Sequence, residues 1–258
     1  MTLTACWTLL TNDEEGLNRM ILWMFAALVG YFVKGVAGIG NTLVVTSLMA
    51  YTRTNAEITP VELLLCVPTN LVMAWANRKA INWKLSIPPL CMVLAGDVLG
   101  VLLLKNVDVS ALKIIFGVVL ILLSVEMLWR ELRGKSGQPA HPALMLALGI
   151  AAGVLCGMFG VGALLAAYFA RVTTDDATYK GSMSMIFAVE NTFRIVAYSV
   201  TGLLTAQSLQ NALVLLPFMG LGLFLGMKLA HRMNPKAMRL IVTVMLMLSG
   251  LPLLLTNL

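Results

Sequence analysis

The 258-residue sequence predicts an all-α integral membrane protein. It reads as an inverted repeat of two halves, each with a glycine-broken re-entrant helical hairpin plus three transmembrane helices. Three observations predict this. Apolar residues make up 59% of the chain and charged residues 12%, against roughly 45–50% and about 25% in soluble domains. Six apolar runs reach the roughly 20 residues that a spanning helix needs. A pattern of glycines and small polar residues occurs twice. Such a composition excludes a soluble enzyme, a nucleic-acid reader and a disulfide scaffold.

Residues 1–19 form an acidic lead-in, because Asp13, Glu14 and Glu15 stand where a signal peptide carries positive charge. Residues 20–129 make the first membrane repeat and 143–258 the second. Between them, 130–142 is a polar linker with Gly134, Gly137, Pro139 and Pro142. The spanning runs are 59–77, 85–104, 109–129, 181–201, 208–229 and 236–255. The opening of each repeat differs from these. Residues 20–34 run into Gly35, Gly38 and Gly40, with 41–51 beyond; 143–156 run into Gly157, Gly160 and Gly162, with 163–173 beyond. Glycine is a poor helix former, so three within six residues interrupt the helix. At 1.5 Å per residue the first arm is about 22 Å long and the second about 16 Å, both short of the hydrocarbon thickness. Each pair therefore reads as a hairpin that dips into the bilayer and returns.

Adding 122 to Gly35, Gly38 and Gly40 gives Gly157, Gly160 and Gly162. The same shift carries Thr69 and Asn70 onto Asn191 and Thr192. A shift of 126 carries Gly96 and Gly100 onto Gly222 and Gly226, two GxxxG pairs suited to close helix packing or to a homodimer. Internal repeats of this length mark transporters.

Basic residues choose the topology. If both glycine-broken regions spanned fully, nine Lys/Arg would lie on one side (53, 105, 113, 171, 180, 228, 232, 236, 239) and seven on the other (19, 78, 79, 84, 130, 133, 135). If both are re-entrant, twelve lie on one side and only Arg19, Arg53, Lys105 and Lys113 on the other. The positive-inside rule prefers the second arrangement, with the linker cytoplasmic and both termini outside. Three crossings per half then invert one half against the other. The net charge of +6 fits such loops rather than nucleic acid.

Non-helical backbone survives in a bilayer only inside protein or along a wet cavity. Two breaks at equivalent places thus point to one central site. A half-helix beginning at Asn41 or Ala163 turns free N–H groups and a positive dipole end toward an anion. Gly38, Gly40, Gly160 and Gly162 let a ligand approach the backbone; the plainer reading is close helix packing. Asn41, Thr42, Thr69, Asn70, Asn191 and Thr192 supply hydroxyl and amide donors for oxyanion oxygens, unless they only hydrogen-bond between helices. Pro68 precedes Thr69 and kinks its helix or frees a carbonyl. Lys34 lies at the first break, where it is read as an anion contact. Arg194 is read as the attractor of a bound anion and Glu190 as the group that takes up and releases a proton. Their i, i+4 spacing also permits simple mutual neutralisation. Glu62 and Asp97 are intramembrane ionisable residues with no assigned role.

No cofactor or metal is expected. Cys6, Cys66, Cys91 and Cys156 stand far apart, His141 and His231 are distant, and the 17 Met are scattered through the apolar runs. No nucleophile elbow, HExxH or P-loop occurs.

The spacing Gly30-x4-Gly35-x2-Gly38-x-Gly40, repeated as Gly149-x3-Gly153-x3-Gly157-x2-Gly160-x-Gly162, resembles the TauE/SafE family of membrane anion transporters, often called sulfite exporters. The likeness covers about residues 20–256. It implies a secondary carrier for sulfite, organosulfonates or other small organic anions, linked to the proton motive force, with the site between the repeats. The sequence is accordingly expected to encode a multi-pass transporter of the bacterial inner membrane. Its partners would be a small anion and the lipid bilayer. The rivals are a cation or metal carrier using Glu62, Asp97 and Glu190, and a structural subunit of a membrane complex.

Overall fold

The computed structural model describes residues 14–49, 55–103, 175–200 and 202–234, with scattered positions between 118 and 173 and between 237 and 244. Among these residues the fold is wholly helical. The elements are α1 (Glu14–Ala37), α2 (Asn41–Met49), α3 (Asn55–Ala76), a 3₁₀ turn (Arg78–Ala80), α4 (Trp83–Leu103), α5 (Asp176–Val200) and α6 (Ala206–Ala230).

Four of the expected runs, 59–77, 85–104, 181–201 and 208–229, are helical and correspond to α3, α4, α5 and α6. Capping residues fix several starts. Asn82 Oδ1 accepts from Leu85 N at 3.2 Å, Asp175 Oδ1 from Thr178 N at 2.7 Å, and Thr205 Oγ1 from Ser208 N at 3.1 Å. Each fills a donor that a helix N-terminus leaves open. The spans 109–129 and 236–255 lie outside the described residues except for isolated helical positions, and the linker 130–142 lies wholly outside them. Gly16–Ala37, Glu57–Ala76 and Ala206–Ala230 are each long and apolar enough to cross a membrane. Large apolar side chains such as Phe25, Leu71, Trp75, Val196 and Phe224 are exposed on the outer surface, as a bilayer-facing surface requires.

The first arm departs from expectation. The helix does not occupy 20–34; it begins at Glu14, within the supposed lead-in, and continues through Gly35 to Ala37. Its 24 residues reach about 36 Å, so this arm is not short of the hydrocarbon thickness. Glu14 and Glu15 favour the early start, because acidic residues suit a helix N-terminus. Gly35 does not break the helix either. A Cβ there would lie 2.6 Å from the Leu223 carbonyl of α6, so the glycine serves close packing of α1 on α6. Gly222 and Gly226 do the same from α6, pressed against the Leu28 and Phe32 carbonyls of α1. This GxxxG pair therefore packs within the chain.

The break itself is Gly38-Ile39-Gly40. Gly38 (φ +85) and Gly40 (φ +95) both have left-handed backbone, which glycine adopts without steric cost. Gly38 N donates to the Lys34 carbonyl at 2.7 Å, the single bond of an αL helix cap. Val44 N then donates to the Gly40 carbonyl and starts α2. α2 has nine residues, about 13 Å, and folds back beside α1.

The apolar core joins α1, α2, α3 and α6 through Trp23, Tyr31, Val45, Ile58, Leu65 and Leu215, among others. α5 packs along another side of α3 and also touches α4. α3 thus packs against α2, α5 and α6, and its Glu62, Thr69 and Asn70 are buried.

Candidate functional site

Glu62, Cys66, Thr69 and Asn70 recur at i, i+4, i+7 and i+8, which places them on one face of α3. All four are buried. Glu62 is the hub at one end. Its Oε1 accepts from Asn41 Nδ2 at 2.7 Å, from Thr42 Oγ1 at 2.7 Å and from Cys66 Sγ at 3.0 Å. Asn41 Nδ2 also reaches Cys66 Sγ at 3.0 Å. Tyr31 of α1 donates to the Glu62 carbonyl at 3.4 Å and lies 3.5 Å from Cys66 Sγ. The first two residues of α2 therefore grip a carboxylate, at the helix end where backbone N–H groups and dipole favour negative charge. Lys34 Nζ sits 5.7 Å from the centre of the Tyr31 ring, on the last turn of α1.

α5 carries the second group of charges. Arg194 Nη1 lies 3.5 Å from Glu190 Oε1, and Arg194 Nη2 donates to the Tyr198 hydroxyl at 2.9 Å. Asp97 of α4 interacts electrostatically with Glu190 and Arg194, while Glu190 in turn feels Glu62 and Lys34. Lys34, Glu62, Asp97, Glu190 and Arg194 are each at most 5% exposed. Five ionisable groups from four helices thus form one buried electrostatic cluster. Intramembrane charge is expensive and marks function by default.

Several of these groups lack full satisfaction. Both Asp97 carboxylate oxygens, Asn70 Oδ1, Glu190 Oε1, Arg194 Nε and Ser184 Oγ are buried without a hydrogen-bond partner. Buried polar atoms are nearly always paired, so each such atom calls for an explanation. A polar ligand or its accompanying protons would supply one.

The expected site residues divide accordingly. Gly38 and Gly40 form the break, Asn41 and Thr42 grip Glu62, and Lys34, Asn70, Glu190, Asn191 and Arg194 are buried. Gly160 lies outside the described residues, and Gly162 abuts the Phe187 ring of α5. Thr69 is buried, but its hydroxyl turns back on its own helix, to the Leu65 and Cys66 carbonyls at 3.2 and 2.8 Å. A hydroxyl has one proton to donate, so this one is committed. Thr192 likewise donates to the Ala188 carbonyl at 2.7 Å, and it is exposed on the outer side of α5, away from the cluster. Pro68 lies inside an α3 that continues to Ala76, and its missing N–H leaves the Leu64 carbonyl outside the helical ladder. Sequence reasoning missed Glu62, Cys66 and Asp97 as members of the site. The signal for the first two was the helical spacing they share with Thr69 and Asn70.

Residues 22–253 match the sulfite exporter TauE/SafE family. The chain belongs to the TauE/SafE family. It is a membrane transporter and not an enzyme. It is similar to the probable inner membrane transporter protein TsaS of Comamonas testosteroni, with 27% identity over 195 residues, 74% of this chain and 80% of that protein. No solved structure matches it.

Proposed function

We propose that this TauE/SafE protein is a secondary transporter of a small anion, such as sulfite, an organosulfonate or another small organic anion. It would lie in the bacterial inner membrane, with both termini outside, and work by alternating access with the proton motive force. The observation that carries this reading is the pair of buried cations, Lys34 and Arg194, on different helices beside unpartnered polar groups. The break at Gly38–Gly40 leads directly into Asn41 and Thr42, whose donors reach Glu62 of the same cluster. In this reading Gly160 and Gly162 form the second break. The two hairpins would meet at the midplane, and one repeat would move against the other.

Charge balance supports the proton. Fully ionised, the cluster has two cations, Lys34 and Arg194, against three anions, Glu62, Asp97 and Glu190, a net of −1. A bound monoanion makes it −2. Uncompensated buried charge is costly, and a titratable group neutralises instead. Anion entry therefore draws protons onto the carboxyls.

One observation favours a cation carrier instead: unpartnered acceptors at Asp97, Asn70 and Glu190 outnumber the unpartnered donor at Arg194. Against it, no three His, Cys, Asp or Glu among the described residues are grouped to hold a metal ion. Reconstituted liposomes with an imposed pH gradient separate the two. Saturable, proton-driven uptake of sulfite, methanesulfonate or acetate is expected. Uptake of cations alone would replace the anion reading.

A further inference from the structure

We infer that Glu62 is the coupling carboxyl, and that it works by competing with the transported anion for the N-terminus of α2. The inference rests on the proposed anion transport. In the structure that N-terminus already holds an anion, and the anion is part of the protein. Glu62 Oε1 takes the Asn41 amide and the Thr42 hydroxyl, both at 2.7 Å, and the Cys66 thiol at 3.0 Å. These are the donors that an incoming oxyanion needs at a half-helix end. Thr42 has a single hydroxyl proton, and the second N–H of Asn41 goes to the Cys66 sulfur at 3.0 Å, so with these partners they cannot serve two carboxylate-like groups at once. When an oxyanion takes Asn41 and Thr42, Glu62 keeps only the weak thiol donor. A buried carboxylate stripped of its donors is strongly disfavoured. A proton from solution then adds to a Glu62 oxygen, and the neutral acid moves aside while the anion keeps the two donors. Leaving reverses the exchange: the anion departs, the proton leaves Glu62, and the carboxylate returns to Asn41 and Thr42. One anion and one proton thus travel together, with no covalent step.

The surroundings fit an exchange at this position. Groups near Glu62 that carry or exchange protons are Tyr31 and Lys34 on α1, Cys66 on α3, and Glu190 and Arg194 on α5. α2 has no ionisable residue, and α6 has none before Lys228. Glu190 is already the counter-ion of Arg194 at 3.5 Å, whereas Glu62 has no cation at salt-bridge distance among the described residues and depends on exchangeable donors. The second repeat offers no equivalent. Glu62 plus 122 is Ser184, and Asn41-Thr42 plus 122 is Ala163-Leu164.

The test is calorimetric binding of methanesulfonate, ethanesulfonate and acetate to the purified full chain. It is run from pH 6 to 8 in buffers of different ionisation enthalpy, so that protons are counted. The sulfonate and acetate groups stay ionised there, so no acidic proton is hidden in the probe. Wild type is expected to take up one proton per anion, with affinity falling about tenfold per pH unit at the alkaline end. E62Q, which imitates the protonated acid, is expected to bind without that proton and with little pH dependence. Proton uptake retained in E62Q overturns the assignment. If E62Q does not fold, Thr42→Val supplies the answer: losing one donor to the carboxylate moves the pH midpoint of binding upward, and an unchanged midpoint overturns the assignment. If no probe binds wild type but E62Q binds one, the competition for the donors stands, while the anion-transport reading and the coupling role of Glu62 fail. If neither binds, both fall.

Discussion

Glu62 on α3 and Ser184 on α5 stand 122 residues apart, at matching places in the repeat, and they meet opposite surroundings. Glu62 collects three donors, from Asn41, Thr42 and Cys66. Ser184 Oγ is buried with no hydrogen-bond partner. The contrast continues along both helices. α3 presents a carboxylate gripped by its neighbours, while α5 presents Arg194, tied to Glu190 and Tyr198 but with Nε unfilled. The backbone pattern of glycines repeats and the side-chain chemistry does not. The first half supplies the held anion and the donors that hold it, and the second half supplies a strong cation. In the proposed reading a site between such halves is asymmetric, and the anion and its proton take different places.

Arg194→Gln strikes this division hardest. Removing one partner of a buried ion pair costs about 3–5 kcal/mol, and it leaves Glu190 uncompensated unless it protonates. Anion affinity is expected to fall at least about 100-fold, with a lower melting temperature, read by calorimetry and thermal unfolding. Unchanged affinity would place the anion elsewhere and dissolve the contrast.

A smaller pair of changes sharpens it. Thr42→Val removes a hydrogen bond to a charged group and should cost about 1.5–3 kcal/mol of stability. Ser184→Ala removes a hydroxyl that bonds to nothing, so stability should stay level or rise. Equal losses in chemical or thermal unfolding would mean that the two helices are not wired differently.

The smallest effects belong to the duplicated threonines. Thr69→Val and Thr192→Val each remove a hydroxyl already returned to its own helix. Each should change stability by about 0.6 kcal/mol, the average worth of a side-chain hydrogen bond within a membrane. The exposed Thr192 should change it least. Uptake assays should find both near wild type; a collapse in Thr69→Val alone would bring its hydroxyl back into the site.

Much of this was legible in the chain. The helices at 59–77, 85–104, 181–201 and 208–229 came from apolar run length, which is a local property. The break after Ala37 came from glycine, and Lys34, Glu190 and Arg194 stood out as charges in apolar surroundings. Gly35 misled, because glycine is both a poor helix former and a good packing residue. Only the α6 backbone lying against it shows which property operates. Thr192 misled for a related reason: a repeat fixes sequence spacing and not the side of the helix that faces a neighbour.

By itself, then, the sequence determined the solvent, the helices, the break and the inventory of buried charges. These follow from composition, run length and backbone preference, all readable along one dimension. The tertiary structure alone decided that Glu62 occupies the end of α2. That end and Glu62 are 21 residues apart and joined by a hydrogen bond from Asn41. Which acceptor satisfies a donor depends on helix packing, because in a bilayer no water fills the donor instead.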